Sequence, residues 1–257
     1  MNFLERIIYI LQQYGVSYLK GAGTTLAIAV VSTIVGCIIG FLVGIVQTIP
    51  VDKKKDNAAK RGLLGLVKLI LKAYVELFRG TPMIVQAVFI YYGMSQVFHI
   101  QLGMWTSAFL IVSINTGAYM AESVRGGIIS VDPGQMEGAK AIGMTHVQAM
   151  ANVILPQAFR NIMPQIGNNL IINIKDTSVL SVISIVDLFF VHKSVSGALY
   201  TYFESATIVM VIYLTMTLAA SKLLALWEKK LDGDDNYELV DVMGIGDQLR
   251  KAKGDMK

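Results

Sequence analysis

The chain has 257 residues, 54% of them hydrophobic and 16% charged, with a formal net charge of +4. A mean hydropathy of +0.57 is too apolar for an ordinary soluble domain, and the longest apolar runs reach the roughly 20 residues needed to cross a hydrocarbon core of about 30 Å. The basic residues are spread unevenly along these runs instead of lying on one soluble face, which favours membrane topology over nucleic-acid binding, and the single Cys37 excludes an intrachain disulfide.

In lipid only helices and closed barrels satisfy every backbone polar group, and these runs are continuous rather than alternating, so the expected fold is all-α and polytopic. Residues 1–20 predict an amphipathic N-terminal helix lying on the membrane surface: Phe3, Ile7, Ile10, Leu11 and Tyr14 fall near one face, interrupted by Glu5, Arg6, Gln12 and Gln13. The membrane domain then covers 21–230, with about five spans at 22–47, 82–100, 104–123, 165–190 and 203–227. In the first span Ser32, Gly36, Gly40 and Gly44 form a strip of small residues, suited to close packing within the chain or to a dimer interface.

The connector after the first span carries Lys53, Lys54, Lys55, Lys60, Arg61, Lys68, Lys72 and Arg79 against Asp52, Asp56 and Glu76, which places it in the cytoplasm. Alternation from there puts the N-terminus outside, the 101–103 turn outside, the 124–164 loop inside, a His192-Lys193 loop outside and the C-terminus inside. Residues 231–257 read as a solvated cytoplasmic tail.

Within the inner loop, Asp132-Pro133 is a helix start, Gly143 suits a left-handed turn, Thr145 is a second helix cap, and Pro156 is expected to interrupt continuation into the membrane. Two short helices with a tight bend, exposing Gly138, Ala139 and Ala141, are the predicted result. On the fourth span Asn169, Asn173, Asp176, Thr177, Ser184 and Asp187 line up as a polar stripe, with Lys175 one step of rotation away. Polar groups inside a membrane are costly and point to a substrate path; here an acidic group could meet an ammonium, and Lys175 or backbone N–H groups freed at a helix break could meet a carboxylate, unless both charges serve to pair helices. Asn115, Tyr119 and Glu122 share a face of the third span and extend the candidate path, while Glu122 and Arg125 are spaced for an ion pair.

Other chemistry is not supported. His99, His146 and His192 lack metal-ligand spacing, so no metal is expected. There is no G-x-x-x-x-G-K-[ST], H-E-x-x-H or G-x-S-x-G, so neither ATP binding through a P-loop nor these catalytic centres are expected.

Residues 137–156 resemble the EAA loop of ABC-importer permeases: Glu137-Gly138-Ala139, then Gly143, Val153 and Leu155-Pro156, with Gly138 for the first Ala and Val153 for Ile. The flanking Glu76-Leu77-Phe78-Arg79-Gly80-Thr81-Pro82, Ala118 to Gly127, Gly134-Gln135 and Lys175-Asp176-Thr177-Ser178 are similar to the polar amino acid branch, over about residues 20–230. This resemblance implies a type I importer permease of a bacterial cytoplasmic membrane, without a cofactor or a catalytic centre of its own. It implies coupling to an ABC ATPase dimer through Glu137, Gly138, Ala139, Gly143, Leu155 and Pro156. It also implies a second permease subunit, identical or not, and an extracytoplasmic amino-acid-binding protein. The alternatives are another small zwitterion or organic anion as cargo, or a channel or membrane enzyme using Lys175, Asp176 and Glu122.

Overall fold

The computed structural model describes residues 2–51 and 57–232, and side chains as far as Trp227. The expected tail beyond 232 and the charged positions 52–56 lie outside the described residues. Every regular element among the described residues is helical.

Helix α1, Phe3–Thr48, runs unbroken for 46 residues, about 69 Å at the ordinary rise and more than twice a hydrocarbon core. Residues 1–20 are therefore not a separate surface helix, and no proline interrupts them. Glu5, Arg6, Gln12 and Gln13 are exposed, whereas Ile10 and Tyr18 are buried in a cluster with Leu188, Val191, Val195, Ile208 and Val209. Arg6 lies 3.2 Å from Glu204, and the Tyr18 hydroxyl is 2.7 Å from Ser205 Oγ.

The connector contains a helix the sequence reading did not assign, α2, Ala58–Gly80. Leu64, Val67, Leu71, Tyr74, Val75 and Phe78 return at helical spacing and are buried or half-buried. The second predicted span is built from α3, Met83–Val88, a π-helical turn at Phe89–Gly93 and α4, Met94–Phe98. Helix α5, Met104–Ile129, is the third. Short helices α6, Pro133–Ala141, and α7, His146–Ala149, make the loop, and a π-helical turn at Met150–Ile154 carries α7 into α8, Leu155–Asp176. Pro156 does not interrupt this passage; it stands in the first turn of α8, where a missing N–H costs little.

The predicted span 165–190 is corrected most. Helix α8 starts at Leu155, tightens into a 3-10 segment at Thr177–Ile183 and stops at Ser184, whose φ is 66°. Asp187 then caps α9, Leu188–Leu199, accepting from the Phe189 and Phe190 amides at 3.1 and 2.9 Å. The expected His192-Lys193 loop is thus inside a helix. His192 is 2% exposed and its Nδ1 lies 2.9 Å from Ser205 Oγ. Helix α10, Tyr202–Asp232, closes the bundle. By length and apolarity alone, α1 and the Tyr202–Trp227 part of α10 are the two described helices able to cross a membrane.

Packing centres on α1 against α5. A Cβ placed on Gly36 would lie 2.6 Å from Thr116 Cβ, one on Gly44 would lie 2.7 Å from Val124 Cβ, and one on Gly40 would collide with Met120. The small-residue strip is therefore filled within the chain, where it lets two backbones approach.

Candidate functional site: the inner loop and the polar face of α8

The loop is built by caps. Asp132 Oδ1 accepts from the Gly134 amide at 2.6 Å, with Pro133 in the first helical position. At the other end Gly143 adopts φ 87°. Its amide donates to Lys140 at 3.0 Å, and the Met144 amide donates to Ala139 at 3.1 Å. This pair of bonds is the Schellman arrangement, which satisfies carbonyls that a helix end leaves open. Thr145 and Gln148 then exchange reciprocal bonds, Gln148 N to Thr145 Oγ1 at 3.3 Å and Thr145 N to Gln148 Oε1 at 2.9 Å.

This capped unit is fastened to the bundle. Val131, Ile154, Ala158 and Ile162 share a cluster with Met120, Val124 and Ile128, and half-buried Met136, Met150, Val153 and Leu155 pack on it. Asn161 Nδ2 donates to Ser130 Oγ at 3.0 Å, tying α8 to the end of α5.

The predicted coupling residues divide. Glu137 and Gly138 are exposed, and nothing lies within 4 Å of a Cβ placed on Gly138. Gly143 makes the bend, Leu155 is half-buried, and Pro156 is exposed. Ala139 is 5% exposed and faces the bundle, contrary to the expected exposed face. Two residues the sequence reading passed over take its place: Ile142 at 76% and Val147 at 74% exposure flank the bend. Their signal was a bulky apolar side chain on each side of a polar, glycine-centred turn.

The predicted path residues also separate. Asn173 Nδ2 donates to Thr33 Oγ1 at 2.8 Å and to Thr116 Oγ1 at 2.9 Å, joining α8 to α1 and α5. Asn169 Nδ2 donates to the Gln165 carbonyl at 2.9 Å and lies 3.1 Å from Met120 Sδ. Thr177 is fully buried on the Ile174 carbonyl at 3.1 Å. These three groups are occupied inside the chain. Lys175 and Asp176 are exposed.

The outward face of α8 carries Gln157, Asn161, Asn168 and Lys175, all exposed. Asn161, Asn168 and Lys175 recur every seventh residue, within about 20° of two full turns. The neighbouring Asn169 drew attention away from Asn168, which the sequence reading missed.

The α2–α3 junction packs over the Asn115 end of the α5 face that also holds Tyr119 and Glu122, of which Tyr119 stays exposed. Asn115 Nδ2 donates to Gln86 Oε1 at 2.9 Å and to the Phe78 carbonyl at 3.2 Å. Gln86 Nε2 donates to the Phe78 and Thr81 carbonyls, each at 2.9 Å, so two buried amides cap the end of α2. Arg79 sits 5.6 Å over the Tyr119 ring and 3.8 Å from Glu122, which also pairs with Arg125 as its spacing predicted. Asn115 and Glu122 thus hold α2 to α5.

Residues 58–232, more than half of the chain, match the family described as binding-protein-dependent transport system inner membrane component. The arginine transport system permease protein ArtQ of Bacillus subtilis is 32% identical over 217 residues, covering 84% of this chain and 93% of that protein. The glutamine transport system permease protein GlnP of Escherichia coli K12 is 33% identical over 214 residues, covering 83% and 92%. The crystal structure of an amino acid ABC transporter with histidines superposes with a TM-score of 0.77 at 34% identity, covering 90% of this chain and 99% of that one. The capped 132–149 loop and the helical bundle therefore belong to a member of the binding-protein-dependent transport system inner membrane component family, a permease subunit of the ABC importer type.

Proposed function

We propose that this permease moves a polar amino acid across the cytoplasmic membrane, working as one of two permease subunits on a pair of ATPase subunits, with an extracytoplasmic binding protein delivering the cargo. The observation that carries the proposal is the capped α6–Gly143–α7 unit, which exposes Ile142 and Val147 while fixed to both α5 and α8. A partner groove that buries these two side chains together with Glu137, Gly138 and Ala141 would hold the unit as a rigid peg. Movement of the ATPases would then pass through Ser130–Asn161 and the shared apolar cluster into α5 and α8.

The cargo path in this reading runs along the outward face of α8. Asn161 and Asn168 offer neutral polar groups, Lys175 meets the carboxylate and Asp176 meets the ammonium. A polar face of this length is costly against lipid, which supports a water-filled path shared with a second permease chain. The cargo names of ArtQ and GlnP support a polar amino acid. In this reading the apolar runs make five membrane crossings, and the basic connector from Lys53 to Arg79 supports an N-terminus outside and a C-terminus inside.

The test is a screen of the twenty amino acids against the co-expressed permease, ATPase and binding protein in proteoliposomes, reading ATP hydrolysis and uptake together. Stimulation and uptake by one polar amino acid or a small group are expected. Absence of both stimulation and uptake with all of the twenty amino acids would contradict the cargo assignment.

A further inference from the structure

A charged groove of about 400 Å³ lies between the end of α1, helix α2 and the end of α5 that carries the inner loop. Its charged lining is Lys68, Lys72, Arg79 and Arg125 against Glu76 and Glu122. Glu122 is held by Arg125 and Arg79, Glu76 lies 3.6 Å from Lys72, and Lys68 Nζ donates one proton to the Ile49 carbonyl at 2.5 Å. Among the described residues four cations thus face two carboxylates, a net positive lining.

We infer that this groove binds the phosphate of an anionic phospholipid. Its volume lies within the roughly 300–1,000 Å³ of ordinary ligand sites, and paired lysine and arginine donors suit phosphate oxygens. The rest of α2 identifies the source of the phosphate. Leu63, Leu66, Leu69, Ile70 and Leu77 are each more than half exposed on an adjoining face of the same helix. A free anion has no use for that face, whereas a lipid lays its acyl chains along it and brings its headgroup to the lysines. Gln47 and Arg125 line both this groove and the cavity beneath the capped loop, so the lipid sits beside the element that takes the ATPase.

Native mass spectrometry of the detergent-purified transporter complex, titrated with short-chain phosphatidylglycerol, phosphatidylcholine or inorganic phosphate, tests the site. Phosphatidylglycerol adducts are expected to exceed phosphatidylcholine adducts at equal concentration. They should fall roughly thirtyfold in the Lys68→Gln/Lys72→Gln double variant and persist in Lys72→Arg. Among the described residues Lys72 pairs with Glu76 alone, and both are exposed, so the single Lys72→Gln variant gives the answer if the double variant fails to assemble. Equal phosphatidylglycerol binding by wild type and Lys72→Gln overturns the assignment, as does no preference over phosphatidylcholine. Displacement of the lipid by inorganic phosphate at equal concentration overturns it in favour of a free anion.

Discussion

The Met144 amide donates to the Ala139 carbonyl at 3.1 Å across the Gly143 bend, and this bond fixes the angle between the two loop helices. It needs the φ of 87° that Gly143 adopts. A side chain there costs about 1–2 kcal/mol, and a β-branched one adds restriction at χ1. Gly143→Val is expected to insert normally and to lose most co-purifying ATPase. Full ATPase recovery in that variant, measured by pull-down from membranes, would contradict the role of the bend.

Neighbouring asparagines on α8 should behave in opposite ways. Asn173→Ala leaves the Thr33 and Thr116 hydroxyls without their shared partner in the core, a loss of about 1–3 kcal/mol, and should lower the thermal midpoint of the purified subunit. Asn168 is exposed, so Asn168→Ala should change stability by no more than about 0.5 kcal/mol while reducing transport. Unaltered transport in Asn168→Ala would remove that face from the path.

The reversal of Asn168 and Asn169 shows where sequence reading stopped. Helical spacing grouped Asn169, Asn173 and Thr177 with Asp176, Ser184 and Asp187; the first three are buried together while Asp176 is exposed and the helix stops at Ser184, because periodicity only defines a stripe and does not say whether it faces a cavity or a neighbouring helix. Thr33 and Thr116 decided that, and they are distant in the chain. The inner loop was more legible because Asp132-Pro133, Gly143 and Thr145 act through neighbours a few residues away. Helix α2 escaped notice because its lysines weighed more than the repeat from Leu64 to Phe78, and the break at Ser184 has no glycine or proline to mark it.

Close packing of α1 on α5 gives a third expectation. Gly40→Leu forces a branched side chain into the space of Met120, and overpacking of this kind costs about 1–3 kcal/mol. The thermal midpoint should fall, and fluorescence-detected size exclusion should show less monodisperse protein. Gly15 and Gly23, beside which nothing lies within 4 Å, should accept Ala with little change in either readout.

Orientation is tested at Gly65, an exposed position of α2 with nothing within 4 Å of an added Cβ. In a Cys37→Ser background, Gly65→Cys should react with an impermeant thiol reagent only after the cells are permeabilised. Labelling of intact cells would contradict an inner location for the basic helix.

The most direct test of the central claim is cross-linking from the bend to the co-expressed ATPase subunit. Ile142→Cys and Val147→Cys, each in a Cys37→Ser background, should cross-link to cysteines in the ATPase groove, with yields that change when nucleotide binds. Ala139→Cys, buried at 5% exposure, should not. Absence of ATPase adducts from both 142 and 147, or an equal yield from 139, would contradict the account.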